Sequence, residues 1–379
     1  MNTRVLTSIA GLAFVSVFGA CGNSTPIPSH TATFGLETIP DDEPKAIQEV
    51  SELLSGFINR TYPPGTRPAK RDAHAKSHGC VRAEFEVLSN PENLQFGVFK
   101  EPKKYDAWIR YSNGNPIPQS DTIGDGRGMA IKLMGVPGKK IMAAEIDEQT
   151  QDFLMISYPV FFVNSASNYL DFTKKQQHGD VLNYFIGIRN PESWHLKGAE
   201  IARAITKVVS VNPLETRYWS MAPYLLGEKA IKFSAKPCEI HKGLYKNTGE
   251  YNFLADNMQL NLEQGEGCFD FMLQLQTNAK SMPVEDPMVK WSEEASPFIT
   301  VARIRIPSQA FRSEEQLSFC ENLSYTPWHA LPESRPLGGI NRMRRVVYET
   351  ISKLRHKLNG VQRVEPVAGP DFLPSGSRQ

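Results

Sequence analysis

The chain has 379 residues, 40% of them hydrophobic, which is enough to bury the core of one large domain or of two ordinary ones. Its 42 Lys and Arg residues nearly balance 41 Asp and Glu residues, and no long run carries a single sign of charge. This balance excludes the basic surface of a typical nucleic-acid-binding protein, so we expect no nucleic-acid partner.

The first twenty residues have the pattern of an export signal. One arginine, Arg4, precedes an apolar run from Val5 to Ala20 that is short for a membrane span. Small residues come directly before Cys21, as they do at the cleavage site of bacterial lipoproteins. We therefore predict that residues 1–20 are removed, that Cys21 is lipidated, and that the protein is periplasmic or membrane-anchored. Ordinary secretion is the alternative.

Residues 21–42 are polar and rich in Pro, Ser and Thr, a composition that is typical of a flexible tether. We expect the folded domain to span residues 43–360 and a loosely ordered tail to follow at 361–379. Four cysteines remain after the predicted cleavage, in a compartment that permits disulfides. Four thiols allow three pairings, and the spacing neither chooses among them nor excludes free thiols. These cysteines are Cys80, Cys238, Cys268 and Cys320.

Hydrophobic periodicity predicts both strands and helices. Apolar residues at three- and four-residue steps predict a helix at 43–59, and similar patterns predict helices near 165–177 and 196–209. Alternating segments bounded by turn residues predict strands at 83–87, 108–112, 129–133, 268–276 and 298–306. The fold class is therefore α+β, with a largely antiparallel sheet that could close into a barrel.

The last predicted helix, at 340–358, has two distinct faces. One is an apolar stripe, and Asn359-Gly360 ends the helix as a C-terminal stop does. Arg344, Tyr348 and Arg355, at steps of four and seven, share the second face. A cation about 4 Å from a partly buried phenol stabilises the phenolate by roughly 4 kcal/mol. Arg344 could therefore help to make Tyr348 a ligand for ferric iron, and Arg355 could reach a carboxylate of the same cofactor.

Five segments resemble haem catalases in their order along the chain. They read RDAHAKSHG, WIRYSNG, GRGMAIKL, PVFFV and RRVVY, and the similarity covers about residues 45–358. The resemblance implies a catalase-like antiparallel β-barrel with surrounding helices that binds haem b. It also implies that hydrogen peroxide or an organic hydroperoxide is the substrate. The resemblance does not specify the reductant.

The resemblance implies a role for each matching residue. Tyr348 would be the iron ligand and Arg344 would hold it as the phenolate, while His74 would carry protons on the opposite side of the haem. Ser112 would orient the His74 ring. The remaining matches would contact the cofactor: Arg71, Arg110 and Arg355 pair with the haem propionates, and Phe161 lies against the porphyrin.

One departure from catalases affects the expected chemistry. Catalases have a distal asparagine just before the segment that matches PVFF, whereas this chain has Ile156 and Ser157 at the corresponding places. We expect the Ser157 hydroxyl to replace the lost amide donor in part. The loss should slow the reduction of the oxidised enzyme by a second peroxide, which favours peroxidase action over dismutation. For His329, we expect a hydrogen bond within a loop rather than a second bond to iron.

Other functions are compatible with the same pattern. Catalase-like allene oxide synthases rearrange fatty-acid hydroperoxides, and they need an apolar channel that a sequence alone does not display. A haem-binding lipoprotein without catalytic activity, or a haem-free barrel, would also preserve much of the pattern. Product analysis and peroxide turnover separate these alternatives.

Overall fold

The computed structural model describes residues 35–187, 194–241 and 243–369. The predicted export signal and Cys21 lie outside these ranges. The described residues contain nine strands: β1 (Ser77–Val87), β2 (Lys103–Asn113), β3 (Arg127–Met134), β4 (Thr150–Ile156), β5 (Tyr218–Trp219), β6 (Tyr224–Leu226), β7 (Lys229–Pro237), β8 (Gly267–Leu275) and β9 (Ile299–Ile306). Each of the five predicted strands coincides with one of them.

The strands form a closed antiparallel barrel. Their order is β5-β4-β3-β2-β1-β9-β8-β7-β6, and an additional pairing of β5 with β7 closes eight strands into a ring. The short strand β6 extends the sheet as a hairpin with β7. Closure leaves few free strand edges, which explains why so many short alternating segments are stable together.

Apolar side chains from every second position along the strands fill the barrel interior. In β1 the buried residues Val81, Ala83, Phe85 and Val87 follow one another at steps of two. The Phe85 ring meets the Phe271 ring of β8 edge-on, with centroids 5.1 Å apart. The predicted α+β class and barrel are therefore confirmed.

Helices surround the barrel. The described residues contain α1 (Glu43–Thr61), α2 (Ala166–Gln177), α3 (Val181–Phe185), α4 (Leu196–Thr206), α5 (Phe253–Gln264), α6 (Glu314–Asn322) and α7 (Gly339–Asn359). The apolar stripe predicted for the last helix lies on α7, where Met343, Val347 and Ile351 pack with residues of α1 and α2. Gly360 follows α7 with φ of 68°, the left-handed C-terminal stop that the sequence predicts.

Two disulfides join distant parts of the chain. Cys80 of β1 is bonded to Cys320 of α6, and Cys238 is bonded to Cys268 at the start of β8. The structure thus selects one of the three pairings that the sequence left open. The first bridge ties α6 to the strand that follows the His74 segment.

Residues on either side of the predicted domain, 43–360, form ion pairs with it. Glu37, within the predicted tether, accepts ion pairs from Arg335 at 2.9 Å and from Arg342 at 2.6 Å. In the predicted loose tail, Glu365 lies 2.6 Å from Lys132 and its side chain is almost fully buried. Buried ion pairs therefore hold Glu37 and Glu365 on the domain.

The tail completes a buried group of six charged side chains, which we call the tail cluster. It contains Lys132, Glu145, Asp152, His329, Arg363 and Glu365. His329 lies between two carboxylates, 2.5 Å from Glu145 and 2.7 Å from Asp152. These contacts agree with the expected structural role of this histidine.

No helix within the described ranges is long and apolar enough to cross a membrane.

Candidate functional site

A cavity of about 430 Å³ lies at the place where the predicted site residues meet. Its volume is within the range of small-molecule sites in proteins. The walls come from the segment before β1, from strands β2 to β4, and from α2, α3, α4 and α7. Eight of the nine predicted residues line it: Arg71, His74, Arg110, Ser112, Phe161, Arg344, Tyr348 and Arg355.

One wall presents a phenol beside a guanidinium. Tyr348 and Arg344 are one turn apart on α7, and Arg344 Nε donates a hydrogen bond to Tyr348 Oη at 3.3 Å. Burial alone would lower the pKa of Arg344, but the phenols of Tyr348 and Tyr224 outweigh it and hold that pKa above its ordinary value. Arg344 therefore stays charged next to the Tyr348 oxygen.

The backbone around His74 turns its imidazole toward the cavity. His74 has φ of 58°, in the left-handed region that side-chain-bearing residues seldom adopt, and its N–H donates to Gly114 O at 3.0 Å. The ring Nδ1 lies 3.0 Å from Ser112 Oγ, and the His74 carbonyl accepts from Arg110 Nη2 at 2.8 Å. Strained backbone of this kind persists where several contacts determine it together.

The His74 imidazole is neutral over the physiological pH range. Burial, and then the charges of Arg110, Arg344 and Arg71, lowers the pKa of His74 to about 3. A neutral imidazole is able to accept a proton. The arginines therefore have a second effect besides any ligand binding, because they keep this base unprotonated.

Gly128 of β3 lets the His74 ring approach the barrel. A Cβ atom at Gly128 would lie 2.6 Å from His74 Nδ1 and 2.8 Å from Ser112 Oγ, both too close for any other residue. This role was not predicted from the sequence. The signal was present in the GRGMAIKL segment, but only the pairing of β2 with β3 shows which atoms the glycine must accommodate.

Three arginines meet around one carboxylate, and we call Arg71, Arg110, Arg355 and Glu321 the arginine cluster. Arg71 Nη1 lies 2.9 Å from Glu321 Oε1, and Arg355 Nη1 lies 3.5 Å from the same oxygen. Burial would raise the pKa of Glu321, but Arg71, Arg110 and Arg355 outweigh it and hold that pKa below its ordinary value. Glu321 was not predicted, because nothing local in α6 distinguishes it from the other acidic residues there.

The arginine cluster has excess positive charge. Three guanidiniums face one carboxylate, which leaves a formal charge of 3 − 1 = +2. Burial lowers the pKa of Arg110 and of Arg355 to about 9, so both remain cationic at neutral pH. Arg110 Nε is buried and has no hydrogen-bond acceptor among the described residues. An anionic ligand would supply what the cluster lacks.

Ser157, the ninth predicted site residue, has a different environment. Ser157 does not line the cavity; its Oγ accepts a hydrogen bond from the Arg127 N–H at 2.9 Å, and it is buried there. Its neighbour Ile156, the last residue of β4, lines the cavity instead. Ile156 therefore presents an apolar side chain to the cavity at this place.

Aromatic side chains cover a second side of the cavity. Phe161 and Phe162 have ring centroids 4.8 Å apart, and Phe162 meets Phe172 of α2 at 4.7 Å and Phe185 of α3 at 6.4 Å. All four line the cavity, as does Ile205 of α4. The cavity thus has a charged side and an apolar side, which the sequence did not reveal.

Two further polar residues line the cavity without having been predicted. Burial raises the pKa of Asp72 to about 6, against the opposing effects of two backbone N–H groups and of Arg71. Tyr169 of α2 lies close enough to Asp72 and Tyr348 to be influenced by both, and burial raises its pKa above the ordinary range. Asp72 follows Arg71 directly in the sequence, but its position against the cavity depends on the backbone turn at His74.

Comparison with known proteins identifies catalases as relatives. The chain is 25% identical over 314 residues to Catalase-B from Dictyostelium discoideum, which covers 71% of this chain and 42% of that protein. The chain therefore spans less than half the length of this relative. No protein-family model matches the chain.

Solved catalase structures share the fold. A fungal catalase aligns with a TM-score of 0.62 at 16% identity, over 79% of this chain and 61% of that one. Catalase A from Saccharomyces cerevisiae aligns with a TM-score of 0.60 at 16% identity, over 87% of this chain and 71% of that one. These comparisons confirm the catalase-like fold and the resemblance to catalases that the five sequence segments predicted.

Proposed function

We propose that this relative of catalases is a haem-dependent peroxidase, which reduces hydrogen peroxide or small organic hydroperoxides with electrons from an organic donor. The observation that carries the proposal is the meeting, on one cavity, of a neutral imidazole and a phenol paired with arginine. Neither group alone is diagnostic of peroxide chemistry. Together they offer a proton carrier and an oxygen ligand for ferric iron on the walls of one space.

The cavity walls fit haem b. Haem has two carboxylates on one edge and apolar edges elsewhere; the arginine cluster offers a charge of +2 and the unpaired donor of Arg110. Tyr348, whose Oη accepts a hydrogen bond from Arg344, would be the residue that holds the haem iron. Bound haem would supply the iron at which the peroxide is reduced.

His74 moves the proton in this proposal. With its Nδ1–H donated to Ser112 Oγ, the other ring nitrogen is free to take the proton of the hydroperoxide and to return it to the departing oxygen. The low pKa of His74 keeps the imidazole unprotonated, so this nitrogen has a free lone pair for that proton. Ser112 holds the ring orientation, and Gly128 leaves the ring its space.

Ile156 favours peroxidase action over dismutation. Dismutation requires a second hydrogen peroxide to be held and oxidised, and a hydrogen-bond donor at this position would hold it. An apolar side chain offers no such donor. An organic donor, whose identity the cavity does not specify, then supplies the electrons.

We also propose that the protein works outside the cytoplasm. The predicted export signal and Cys21 motif are compatible with a periplasmic protein or a lipid-anchored one. Two disulfides support this location, because such bonds are rare in the reducing cytosol.

The acid/base role is tested with His74→Ala. After haem is loaded, we expect the variant to lose about 10²- to 10⁴-fold of peroxide turnover with a dye reductant, while its haem spectrum is retained. His178→Ala is the matched control, since that histidine is exposed at the end of α2. Haem binding without turnover in the natural chain would instead support a non-catalytic haem-binding protein.

The iron ligand is tested with Tyr348→Phe. We expect the haem-loaded variant to lose the phenolate-to-iron charge-transfer absorption. Tyr251→Phe is the control, because Tyr251 is half-exposed and lies outside the cavity, and it should keep this absorption. If both variants have the natural spectrum, Tyr348 does not bind iron.

A further inference from the structure

A second, much smaller cavity lies where β5 pairs with β7. Its volume is about 10 Å³, which is near the smallest that holds one water-sized particle. Lys232 of β7, Gln274 of β8, Trp219 of β5 and Trp291 are among the residues that line it. Met221 lines this cavity and the larger one, but the other residues around the two cavities differ. The small cavity is therefore a separate place in the fold.

Lys232 brings a buried cation to this small cavity. Its neighbours Ile231 and Phe233 pack in the barrel core, so the lysine side chain points to the outer face of the sheet. Only 4% of the residue is exposed, and Lys232 Nζ lies 5.1 Å from the centroid of the Trp291 ring. Nζ donates to Val289 O at 3.1 Å and forms no ion pair among the described residues. Two of its three N–H groups therefore have no acceptor there.

Two indole groups around the same cavity add unpaired donors. Trp219 Nε1 and Trp291 Nε1 are buried and have no hydrogen-bond acceptor among the described residues. An indole N–H can only donate, so an acceptor is needed to satisfy either of them. The Trp291 segment is held in place by Gln274 Nε2, which donates to Trp291 O at 3.3 Å and to Ser296 O at 2.8 Å. Buried unpaired donors are rare in folded proteins, and two beside an ammonium point to a ligand that accepts hydrogen bonds.

Charge favours an anion over water as that ligand. Burial lowers the pKa of Lys232 to about 7, and the charge of Asp286 opposes this only in part. A water molecule would leave the ammonium charge without compensation, whereas an anion neutralises it and accepts from all three groups. Glu293, the one carboxylate among the residues that line the cavity, is paired with Arg217 at 3.4 Å, and Lys290 adds a second cation. The volume suits a monatomic anion and is too small for sulfate, phosphate or an organic carboxylate.

We infer that this cavity is a chloride site, in which Lys232 Nζ, Trp219 Nε1 and Trp291 Nε1 hold the ion. The ion joins β5, β7 and the segment between β8 and β9 at the place where the barrel closes. Only two residues of β5 pair with β7, so an added contact between these elements stabilises the closed barrel. The site requires neither haem nor peroxide, and it is therefore independent of the proposed peroxidase function.

Bromide, which is chemically similar to chloride, locates the site. Crystals of the full chain are grown in sodium bromide, and anomalous diffraction distinguishes a bound bromide ion from water. We expect an anomalous peak between Lys232 and the two indole nitrogens. Lys232→Met should abolish the peak, and Lys236→Met, at an exposed position of the same strand, should retain it. A water molecule without anomalous signal in the natural chain, or no peak in this cavity, would overturn the inference.

Thermal unfolding of the full chain tests binding in solution. At equal ionic strength, we expect a higher Tm in sodium chloride than in sodium gluconate, whose anion is too large for the cavity, and the difference should saturate with chloride concentration. Trp219→Phe removes one N–H donor but keeps an aromatic ring, so it should weaken chloride binding about tenfold or more.

Trp194→Phe is the control for this measurement, because the Trp194 indole is exposed and lies outside the cavity. It should bind chloride as the natural chain does. Equal Tm values in chloride and gluconate would overturn the inference. A chloride effect of natural size in both Trp219→Phe and Lys232→Met would place the ion elsewhere and would overturn it too.

Discussion

The arginine cluster and the tail cluster are both buried groups of charges, but only one is balanced. In the tail cluster, Lys132 and Arg363 face three carboxylates, and a protonated His329 makes the count three against three. In the arginine cluster, three guanidiniums face Glu321 alone. Burying an unpaired charge is costly, so an anionic ligand that balanced the arginine cluster would stabilise it.

The two histidines show the same contrast. Burial and then Lys132 act to lower the pKa of His329, but Asp152 and Glu145 outweigh them and hold it above its ordinary value. Burial and the nearby arginines lower the pKa of His74 to about 3. Carboxylates hold the pKa of one ring above its ordinary value, whereas burial and arginines keep the other ring a neutral base at the cavity. Balanced charge therefore indicates structure, and unbalanced charge indicates a binding site.

The largest effect is expected from Lys132→Ala. The variant leaves Asp152 and Glu365 without the cation that lies 2.8 Å and 2.6 Å from them, so we expect a loss of about 3–5 kcal/mol in the free energy of unfolding. Urea denaturation measures it. Lys139→Ala, at a pair whose side chains are mostly exposed, should change stability by less than about 0.5 kcal/mol. Equal effects of the two variants would contradict the structural role of the tail cluster.

A smaller loss is expected from Glu321→Gln. The variant removes the one carboxylate of the arginine cluster, so the haem-free chain should lose about 2–3 kcal/mol in its free energy of unfolding. The haem carboxylates would then neutralise part of the positive charge of the arginine cluster. Haem loading should therefore raise the Tm of the variant by more than it raises the Tm of the natural chain. Glu315→Gln, at an exposed position of the same helix, is the control. An unchanged Tm in both states would show that Glu321 does not organise the arginines.

Arg110→Gln should separate binding from stability. Removing one of three neighbouring cations relieves their repulsion. We therefore expect the free energy of unfolding of the haem-free chain to change by no more than about 1 kcal/mol. Haem affinity should fall about tenfold to a hundredfold, as the loss of a charged hydrogen bond implies. A spectroscopic haem titration measures the affinity, with exposed Arg305→Gln as the control. Natural haem affinity in Arg110→Gln would exclude this arginine from the binding site.

The smallest expected effect is a pH dependence of opposite sign at the two histidines. Because the folded-state pKa of His329 is raised, its stabilisation is fully present below about pH 6.5 and is lost as pH rises through that raised value. Because the pKa of His74 is lowered to about 3, its contribution is present above about pH 6.5 and is lost as pH falls toward 3.

The free energy of unfolding, measured as a function of pH, tests both predicted pH dependences. His329→Gln should flatten the alkaline side of the stability curve, and His74→Gln should flatten the acid side, each by up to about 1 kcal/mol per pH unit. If His329→Gln changes the acid side only, the imidazole is not held as a cation in the tail cluster.

Local patterns in the sequence were sufficient for the secondary structure and for much of the cavity. The 3.6-residue period of α7 fixes the relation of Arg344, Tyr348 and Arg355, whatever packs around the helix. The alternation in β1 and β8 likewise requires a two-sided sheet. Such features depend on residues close together in the chain, so the sequence alone determined them.

Contacts between distant residues were decided only by the tertiary structure. Glu321 joins the arginines, Cys80 pairs with Cys320, and Gly128 underlies His74 because strands and helices far apart in sequence are brought together. The Ser157 side chain contacts Arg127 at the start of β3, because it follows Ile156 directly and neighbouring side chains at a strand end face opposite ways. The sequence by itself therefore determined the helices, the strands and the chemistry available to the cavity, because these follow from local period and residue type. Barrel closure decided which side chains face one another, since that depends on the register of pairing between strands.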